Sequence, residues 1–547
     1  MARVTDLYVL PLALVLACAL AAAPAVAGAE QWLESKGMFA AVEDMAARHD
    51  SEQAPTSPAS PPAGPTSQAA SGHVGYFLRS INATVSTKLG LLPSEAKWLS
   101  GTRHFRLLPG IFPHGMAYHF DGLATVMRLE FNNDGLTYTV RPFESAAEQD
   151  YRSCIFFGTG TGPTLGSHLC TQNPAVNLLP IDGQLWLTID EVGWGRVDMD
   201  TLETVHNATV EANTLILNAH PACDLSGPDT VCYVQHPCPT SKAPLSRDVC
   251  VSQLMPTSGA HMDVMTLSNT TLPDRVWLQH SHEPCVTQNF VVSKIDSFVL
   301  RSPINLKGGL LKYMHQGEGD MWLLFDRRTN VSSVLSSEQG FVSNHFTNCY
   351  ESEDGSEIVV DTIAATENYL DNYFQYNLDV ADGANWGNIF KPPLRCSVPT
   401  AEGAQNVTCE QLVQDDHFYM DYPTFNPLRK FDRTYSYVYG ISPVSDDSRW
   451  FDRIVKLNAQ TRTVEKSWAA PGLFFTEADF IPRPGATQED DGVLLSVVYN
   501  ETADTSSVVV LDAANVTPIE VYKLPQVVPF HAHGISCPPG QRCWTNP

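Results

Sequence analysis

From about residue 73 to the end of the sequence, short apolar runs alternate with turn-forming residues. The runs are rich in β-branched and aromatic residues, and Gly, Pro, Asn or Asp follow them. This pattern predicts β-strands joined by turns. The clearest runs are residues 135–143, 183–200, 276–293, 357–365, 434–442, 492–499 and 506–513. Long helical patterns do not alternate with these strands, which excludes doubly wound and TIM-barrel folds.

The spacing of the strand groups suggests how the strands are arranged. The groups recur roughly every 50 to 70 residues, which suits the four-stranded blades of a β-propeller around a central channel. The segment 73–547 is long enough for about seven blades with long insertions. A crisp repeat motif is absent, so the periodicity predicts an all-β fold and leaves the number of blades open.

The N-terminal region has a different texture. A basic residue, an apolar run and the small residues Ala25-Val26-Ala27 predict a secretory signal peptide at residues 1–27. A membrane anchor is the alternative, although two prolines interrupt the apolar run. Residues 28–72 are predicted to form an amphipathic helix followed by a mobile linker rich in Pro, Ser and Ala. We therefore expect one folded domain over 73–547.

Composition and charge narrow the possible partners. The 547 residues are 43% hydrophobic and only 17% charged, so the chain can bury a large core. Asp and Glu number 60 against 34 Lys and Arg, which gives a formal net charge of −26. Such a charge repels phosphate backbones, so nucleic acid is not expected as a partner.

Cysteines and glycosylation sequons favour an oxidising, secretory compartment. Removal of the signal peptide leaves an even number of cysteines, which predicts disulfides. The cluster Cys223, Cys232, Cys238 and Cys250 favours two disulfides over a zinc site, because it lacks a C-x2-C pair. The simplest other local pairs are Cys154 with Cys170, Cys396 with Cys409, and Cys537 with Cys543. Asn-x-Ser/Thr sequons that predict a secreted glycoprotein are Asn82, Asn207, Asn269, Asn330, Asn406, Asn500 and Asn515.

Four of the 17 histidines lie within or beside apolar strands rather than in polar loops. They are His220 in LILNAHPACD, His282 in WLQHSHEPCVTQNFVV, His345 in GFVSNHFTNCYES and His533 in VVPFHAHGISC. Their wide separation rules out ligands on adjacent helical turns, so a shared site requires distant strands to converge, as at a propeller axis. Taken singly, each histidine fits a core histidine bonded to a backbone carbonyl better than a metal ligand, and spacing alone does not change that.

Several segments resemble the carotenoid cleavage oxygenase family, which includes carotenoid, apocarotenoid and stilbene dioxygenases and a retinoid isomerase. HFTNCYE (345–351) is similar to the family segment HxxNAYE. DYPTFNPLRKFDRTYSYVYG (421–440) is similar to EFPRINPxxxGRxYRYVYG. EADFIPRPGATQEDDGVLLSVVY (477–499) is similar to EPxFVPRPGAxxEDDGxLLxVVY. Further matches in the same order extend the resemblance over about residues 90 to 540.

The resemblance implies a seven-bladed β-propeller with a helical and loop dome above an axial Fe(II) ion. The positions that match the iron ligands are His220, His282, His345 and His533. The matching carboxylates, which would accept the Nδ1 protons, are Glu191 for His282, Asp421 for His345 and Glu477 for His533. Without a metal, these carboxylates would instead form structural hydrogen bonds to backbone donors.

The implied activity is oxygenative cleavage of a carbon–carbon double bond into two carbonyl products. The expected partners are O2 and a small apolar or phenolic alkene, which would be a carotenoid, an apocarotenoid or a stilbene-like compound. Peripheral membrane contact is also compatible with this family. The alternatives are a secreted, non-catalytic protein that binds apolar ligands on the same scaffold, and an alkene isomerase. The sequence predicts no oligomeric state.

The chain departs from the family pattern at three places. Asp421 replaces a glutamate and is one methylene shorter, so either its strand moves inward or a water molecule bridges it to His345. RLLPG (106–110) replaces RNGPG, which loses an Asn and a Gly. Cys349 replaces an alanine near His345, and Cys285 lies near His282, so these cysteines either pair with each other or are simply buried.

Overall fold

The structure is a computed structural model that describes most of residues 76–545. The segments outside the described part are 1–75, 78, 113–118, 120–121, 145–153, 156–167, 170–172, 182, 190–193, 206–217, 225–229, 239–248, 256–259, 268–277, 301–313, 317–318, 367, 370–385, 542 and 546–547. The predicted signal peptide, N-terminal helix and linker therefore lie outside the described residues.

The strands of the first half of the chain form three blades. Blade 1 begins with β1 (Val85–Gly90), β2 (Arg103–Ile111), β3 (Leu123–Asn132) and β4 (Gly135–Pro142). The short strands β5 (Cys154–Ile155) and β6 (His168–Leu169) pair with each other. Blade 2 contains β7 (Asn177–Ile181), β8 (Gln184–Thr188) and β9 (Gly195–Asp198). Blade 3 contains β10 (Ala222–Asp224), β11 (Val231–Pro237), β12 (Val249–Met255) and β13 (Ala260–Leu267).

The second half supplies the remaining blades. Blade 4 contains β14 (Leu278–His280), β15 (Cys285–Val286), β16 (Phe290–Leu300), β17 (Met314–Gln316), β18 (Asp320–Asp326) and β19 (Val331–Ser337). Blade 5 contains β20 (Val342–Glu351), β21 (Glu357–Ala365), β22 (Leu394–Pro399) and β23 (Thr408–Gln411). Blade 6 contains β24 (Asp421–Phe425), β25 (Tyr437–Ser442), β26 (Arg453–Asn458) and β27 (Thr463–Ala469). Blade 7 contains β28 (Leu473–Phe475), β29 (Asp479–Pro482), β30 (Gly492–Asn500), β31 (Thr505–Asp512) and β32 (Thr517–Lys523).

Two C-terminal strands close the ring. The last strands, β33 (Gly534–Cys537) and β34 (Trp544–Thr545), join the sheet of blade 1. There β33 pairs antiparallel with β2, from Arg103 opposite Cys537 to Arg106 opposite Gly534. The fold is therefore nearly all β and forms a seven-bladed propeller, as the sequence predicted. Short helices described between strands are α1 (Trp386–Ile389) and the 3-10 helices Ser94–Leu99 and Pro427–Arg429.

Burial explains why the inner strands read as continuous apolar runs. In β20 and β30, all residues except the last are buried, because neighbouring blades cover both faces of each sheet. In the outermost strand β27, by contrast, nearly every residue is exposed. Burying a large aliphatic or aromatic side chain contributes about 1.5–3 kcal/mol, so packing between the blades is the main source of stability.

Five disulfides form in the described part of the chain, and two of the three predicted local pairs, Cys396 with Cys409 and Cys537 with Cys543, are among them. They are Cys223–Cys232, Cys238–Cys250, Cys285–Cys349, Cys396–Cys409 and Cys537–Cys543. The zinc alternative for the first four cysteines is therefore wrong. Cys285 and Cys349 pair with each other and join blade 4 to blade 5. The predicted pairing of Cys154 with Cys170 stays a prediction, because Cys170 lies outside the described residues.

Five of the seven sequon asparagines lie in the described part of the chain. Asn82, Asn330, Asn406 and Asn515 are exposed, and Asn500 is partly exposed. The other two sequons, at Asn207 and Asn269, lie outside the described residues.

Among the helices that the structure describes, none is long and apolar enough to cross a membrane.

Candidate metal centre

The four histidines that the sequence singled out meet at the propeller axis. Each lies just before or within an inner strand, and the four strands belong to different blades. His220 lies before β10, His282 before β15, His345 within β20 and His533 before β33. One potential ligand nitrogen from each lies within 4.8 Å of the other three. The strands thus bring together residues from distant parts of the chain.

The imidazole cluster is compact and shielded from solvent. The relative exposure of the four residues is between 3% and 6%. The His220 ring lies 4.6 Å from the His282 ring and 4.3 Å from the His533 ring, centroid to centroid. The His345 ring lies 4.9 Å from that of His533. The backbone N–H of His220 also donates to the carbonyl of His282 at 3.4 Å, which links blades 3 and 4 beside the cluster.

His345 is held by Asp421 from the neighbouring blade. Its Nδ1 donates to Asp421 Oδ1 at 2.8 Å, and both side chains are buried. The contact is direct and does not require the bridging water molecule of the second predicted alternative, while an inward movement of the strand stays a prediction. The pairing of β24 with β25 shifts register between Asp421 and Thr424, and Tyr422 has a left-handed φ of 52°. The backbone is therefore irregular next to Asp421, where the carboxylate contacts His345 directly.

His533 is held by Glu477. Its Nδ1 lies 3.2 Å from Glu477 Oε1, and Glu477 Oε2 accepts the backbone N–H of Gly534 at 2.9 Å. For both His345 and His533, the carboxylate accepts the Nδ1 proton and thereby fixes the tautomer. Nε2 is then the nitrogen that would face a metal.

The supports of the other two histidines are described only in part. Nδ1 of His220 lies 3.1 Å from Nδ2 of Asn177, at the start of β7. Glu191, the predicted acceptor for His282, lies outside the described residues, so its role stays a prediction.

The donor set fits a divalent transition metal. Burial lowers the pKa of His533 well below the ordinary histidine value, and the neighbouring imidazoles His345 and His282 lower it further. A metal ligand must be a neutral imidazole, so this shift favours the binding form. Metal–nitrogen bonds of about 2.1 Å place opposite ligands about 4.2 Å apart, close to the 4.8 Å spread of the cluster. Nitrogen ligands suit Fe, Zn, Cu and Ni, so the geometry alone does not select the metal.

An aromatic layer lies against one side of the centre. The ring of Tyr422 is 5.3 Å from that of His345 and 5.6 Å from that of His533. Tyr422 also contacts Phe530 and Phe451, at ring distances of 5.6 and 6.2 Å. These buried side chains exclude water from this side of the centre and offer an apolar surface.

A small cavity lies next to His220. It has a volume of about 60 Å³ and is lined by His220, Glu283, Asn348, Lys430 and the disulfide of Cys285, among others. Space for several water molecules is available at this size. Glu283 Oε2 accepts the backbone N–H of Phe346 at 2.8 Å, and burial raises the pKa of Glu283 to about 7. The centre therefore has an apolar neighbourhood on one side and a polar one here.

Sequence reasoning missed three features of the site. Asn344 donates to Asp421 Oδ2 at 2.7 Å. Tyr422 occupies a position where the family pattern has phenylalanine. Arg106, which belongs to the atypical RLLPG segment, is buried and forms an ion pair with Asp479. Asn344 and Arg106 were detectable as polar residues inside apolar strands, but the sequence does not show what they contact.

Comparisons with known proteins agree with this architecture. The family model described as retinal pigment epithelial membrane protein matches residues 79–536. Carotenoid cleavage dioxygenase 8 homolog A of rice is 26% identical over 87% of this chain and 89% of its own. Apocarotenoid-15,15'-oxygenase of Synechocystis is 24% identical over 81% of this chain and 91% of its own.

Solved structures show the same fold. A point variant of Synechocystis apocarotenoid oxygenase superposes with a TM-score of 0.69 at 20% identity, covering 85% of this chain and 98% of that one. A cobalt-substituted form of the same protein gives a TM-score of 0.68 at 19% identity over the same fractions. Since the family model spans most of the sequence and the fold agrees, the chain belongs to the retinal pigment epithelial membrane protein family, that is, to the carotenoid cleavage oxygenases.

Proposed function

We propose that this chain is an Fe(II)-dependent dioxygenase that cleaves a carbon–carbon double bond of a carotenoid or apocarotenoid with O2, giving two carbonyl products. The observation that carries the proposal is the convergence of His220, His282, His345 and His533 within 4.8 Å at the axis. The names of the relatives supply the reaction class, since they include carotenoid cleavage dioxygenases and an apocarotenoid oxygenase.

Iron is the metal that this donor set and this reaction class favour together. Four neutral imidazoles add no negative charge, which suits a ferrous ion. When bound, Fe(II) would supply the O2 chemistry that amino-acid side chains cannot perform. The chain's own part is to hold the ligands: Asp421 and Glu477 keep the Nδ1 protons of His345 and His533 in place, so that each Nε2 lone pair points to the centre.

The apolar side of the centre suits a polyene. Tyr422, Phe451 and Phe530 are buried and contact one another beside the histidines. A conjugated chain packed against aromatic rings stays dry and is held in one orientation. The protein therefore supplies substrate alignment and exclusion of water.

The test combines metal content with O2 uptake. We expect the purified protein to bind one iron per chain and to consume O2 with an apocarotenal, forming two carbonyl products detectable by mass spectrometry. His345→Ala should lose both the iron and the O2 uptake. A hydroxystilbene serves as the second substrate, and uptake with it alone would assign the protein to phenolic alkenes instead.

Two other outcomes would overturn the proposal. Stoichiometric iron without O2 uptake on either alkene would indicate a binding protein, or an isomerase if the alkene geometry changes. Absence of bound iron from the wild-type protein after anaerobic reconstitution would contradict the ligand assignment itself.

We also propose that the mature chain starts after residue 27 and is a secreted glycoprotein. The five disulfides in the described part support an oxidising compartment. Expression in a eukaryotic secretory host should release the protein into the medium, with a mass that falls on treatment with an N-glycosidase. Retention inside the cell without glycans would contradict this proposal.

A further inference from the structure

Asn344 lies immediately before a histidine of the centre and contacts the carboxylate that supports it. Its Nδ2 donates to Asp421 Oδ2 at 2.7 Å and lies 3.0 Å from Nδ1 of His345. Asn344 is 2% exposed and Asp421 is fully buried. A side-chain amide in a strand that is buried on both faces needs a partner, and here the partner is the carboxylate.

The carboxylate of Asp421 needs this contact because it is short. Its Oδ1 accepts two donors, Nδ1 of His345 at 2.8 Å and the backbone N–H of Tyr422 at 2.7 Å. These two contacts hold one oxygen, and a tilt of the carboxylate about its terminal bond would move that oxygen away from Nδ1 of His345. The amide of Asn344 binds the second oxygen and opposes that tilt.

The equivalent support of His533 uses the backbone instead. Glu477 Oε2 accepts the N–H of Gly534, the residue directly after the histidine. At His345 in blade 5, the donor to the second carboxylate oxygen is instead the side chain of Asn344, the residue directly before the histidine. A backbone donor cannot be removed by most substitutions, whereas the donor of Asn344 can.

We propose that Asn344 is a positioning residue, which holds Asp421 in the orientation that keeps the Nδ1 proton of His345 and directs Nε2 toward the metal. The proposal rests on the metal centre of the proposed function. Asn344 acts through Asp421, so its removal should weaken metal binding and should have no further effect once the carboxylate is absent.

The experiment measures Co(II) binding by anaerobic visible-absorption titration of the metal-free protein, so that enzyme activity is not needed. We expect Asn344→Leu, which has a similar size without the donor, to weaken Co(II) binding by about 10–100-fold and to change the ligand-field spectrum. Asn344→Ala also lacks the donor and serves as the second variant if the leucine variant does not fold.

Ser343→Ala is the matched control. Ser343 precedes Asn344 in the same buried strand, but its hydroxyl contacts Thr362 Oγ1 at 3.1 Å rather than the carboxylate. Its Co(II) affinity should stay within about twofold of the wild-type value, since the hydroxyl of Thr362 still donates to the backbone carbonyl of His345 at 3.1 Å and the contacts of Asp421 are unchanged.

A double-mutant cycle separates positioning from a general structural effect. The pair Asn344→Leu and Asp421→Asn should bind Co(II) no more weakly than Asp421→Asn alone. Additive losses, or wild-type affinity and spectrum in both Asn344 variants, would overturn the proposal. Failure of the wild-type protein to bind Co(II) would instead overturn the metal centre, and this proposal with it.

Discussion

His345 and His533 are each held by a carboxylate, but the two carboxylates are secured by different kinds of donor. Asp421 reaches His345 with a short side chain from a distorted strand, and a neutral amide secures its other oxygen. Glu477 reaches His533 with a longer side chain and is secured by a backbone N–H. The comparison teaches that the position of the carboxylate relative to Nδ1 is what the fold maintains, while side-chain length and backbone shape vary together.

The two supports also differ in what surrounds them. The backbone carbonyl of Glu477 accepts Nη2 of Arg106 at 2.7 Å, and Arg106 is ion-paired with Asp479. Nε of Arg106 donates to His104 Nε2 at 3.0 Å, and His104 Nδ1 lies 2.9 Å from Ser536 Oγ. This buried network joins β2, β29 and β33, where the ring closes. A buried ion pair therefore lies beside Glu477, whereas Asn344 and the backbone of Tyr422, which donate to Asp421, are neutral groups.

The largest expected effect comes from breaking the charged network. Arg106→Met removes the guanidinium that pairs with the buried carboxylate of Asp479, which should lower the free energy of unfolding by about 3–5 kcal/mol. Urea denaturation measures this change. The matched control is Arg483→Met, since the Arg483–Asp491 pair is partly exposed and its loss should cost at most about 1 kcal/mol. Equal losses in both variants would show that burial of the network is unimportant.

The next effect compares the two carboxylates directly. Asp421→Asn and Glu477→Gln keep the side-chain size but remove the charge that holds the Nδ1 proton. Each should weaken metal binding by about 10–100-fold. The loss should be greater for Asp421→Asn, because its contact is 2.8 Å against 3.2 Å for Glu477. Metal titration of both variants checks the order, and a greater loss in Glu477→Gln would contradict the comparison.

The smallest effect tests the backbone distortion. Tyr422 adopts a left-handed φ, which costs a residue with a side chain about 1–2 kcal/mol relative to glycine. Tyr422→Gly should therefore be more stable than Tyr422→Ala by about 1 kcal/mol. Ala478, which follows Glu477, is not among the residues with positive φ, so Ala478→Gly should destabilise by about 0.5–1 kcal/mol. Thermal unfolding of the three variants measures these differences in stability. If glycine were less stable than alanine at both positions, the strain assigned to Tyr422 would be wrong.

The sequence predicted the fold and the four histidines better than their surroundings. Short runs of β-branched and aromatic residues and the order of the motifs were enough to predict the all-β propeller, because inner strands such as β30 carry a strong local signal. The compensation for Asp421 was left open between two alternatives, because a left-handed residue at Tyr422 and a register shift depend on tertiary packing. Arg106 and Asn344 contact carboxylate residues of a neighbouring blade, which lie far from them in the sequence. A single sequence does not show that such residues are close in space.

Each histidine of the centre is followed, three or four residues later, by a half-cystine: Cys223, Cys285, Cys349 and Cys537. A disulfide therefore restrains the chain a few residues beyond each of the four histidines. These disulfides restrain the ligand strands independently of any ion. Binding of a metal there would therefore require little rearrangement of the strands that carry the histidines.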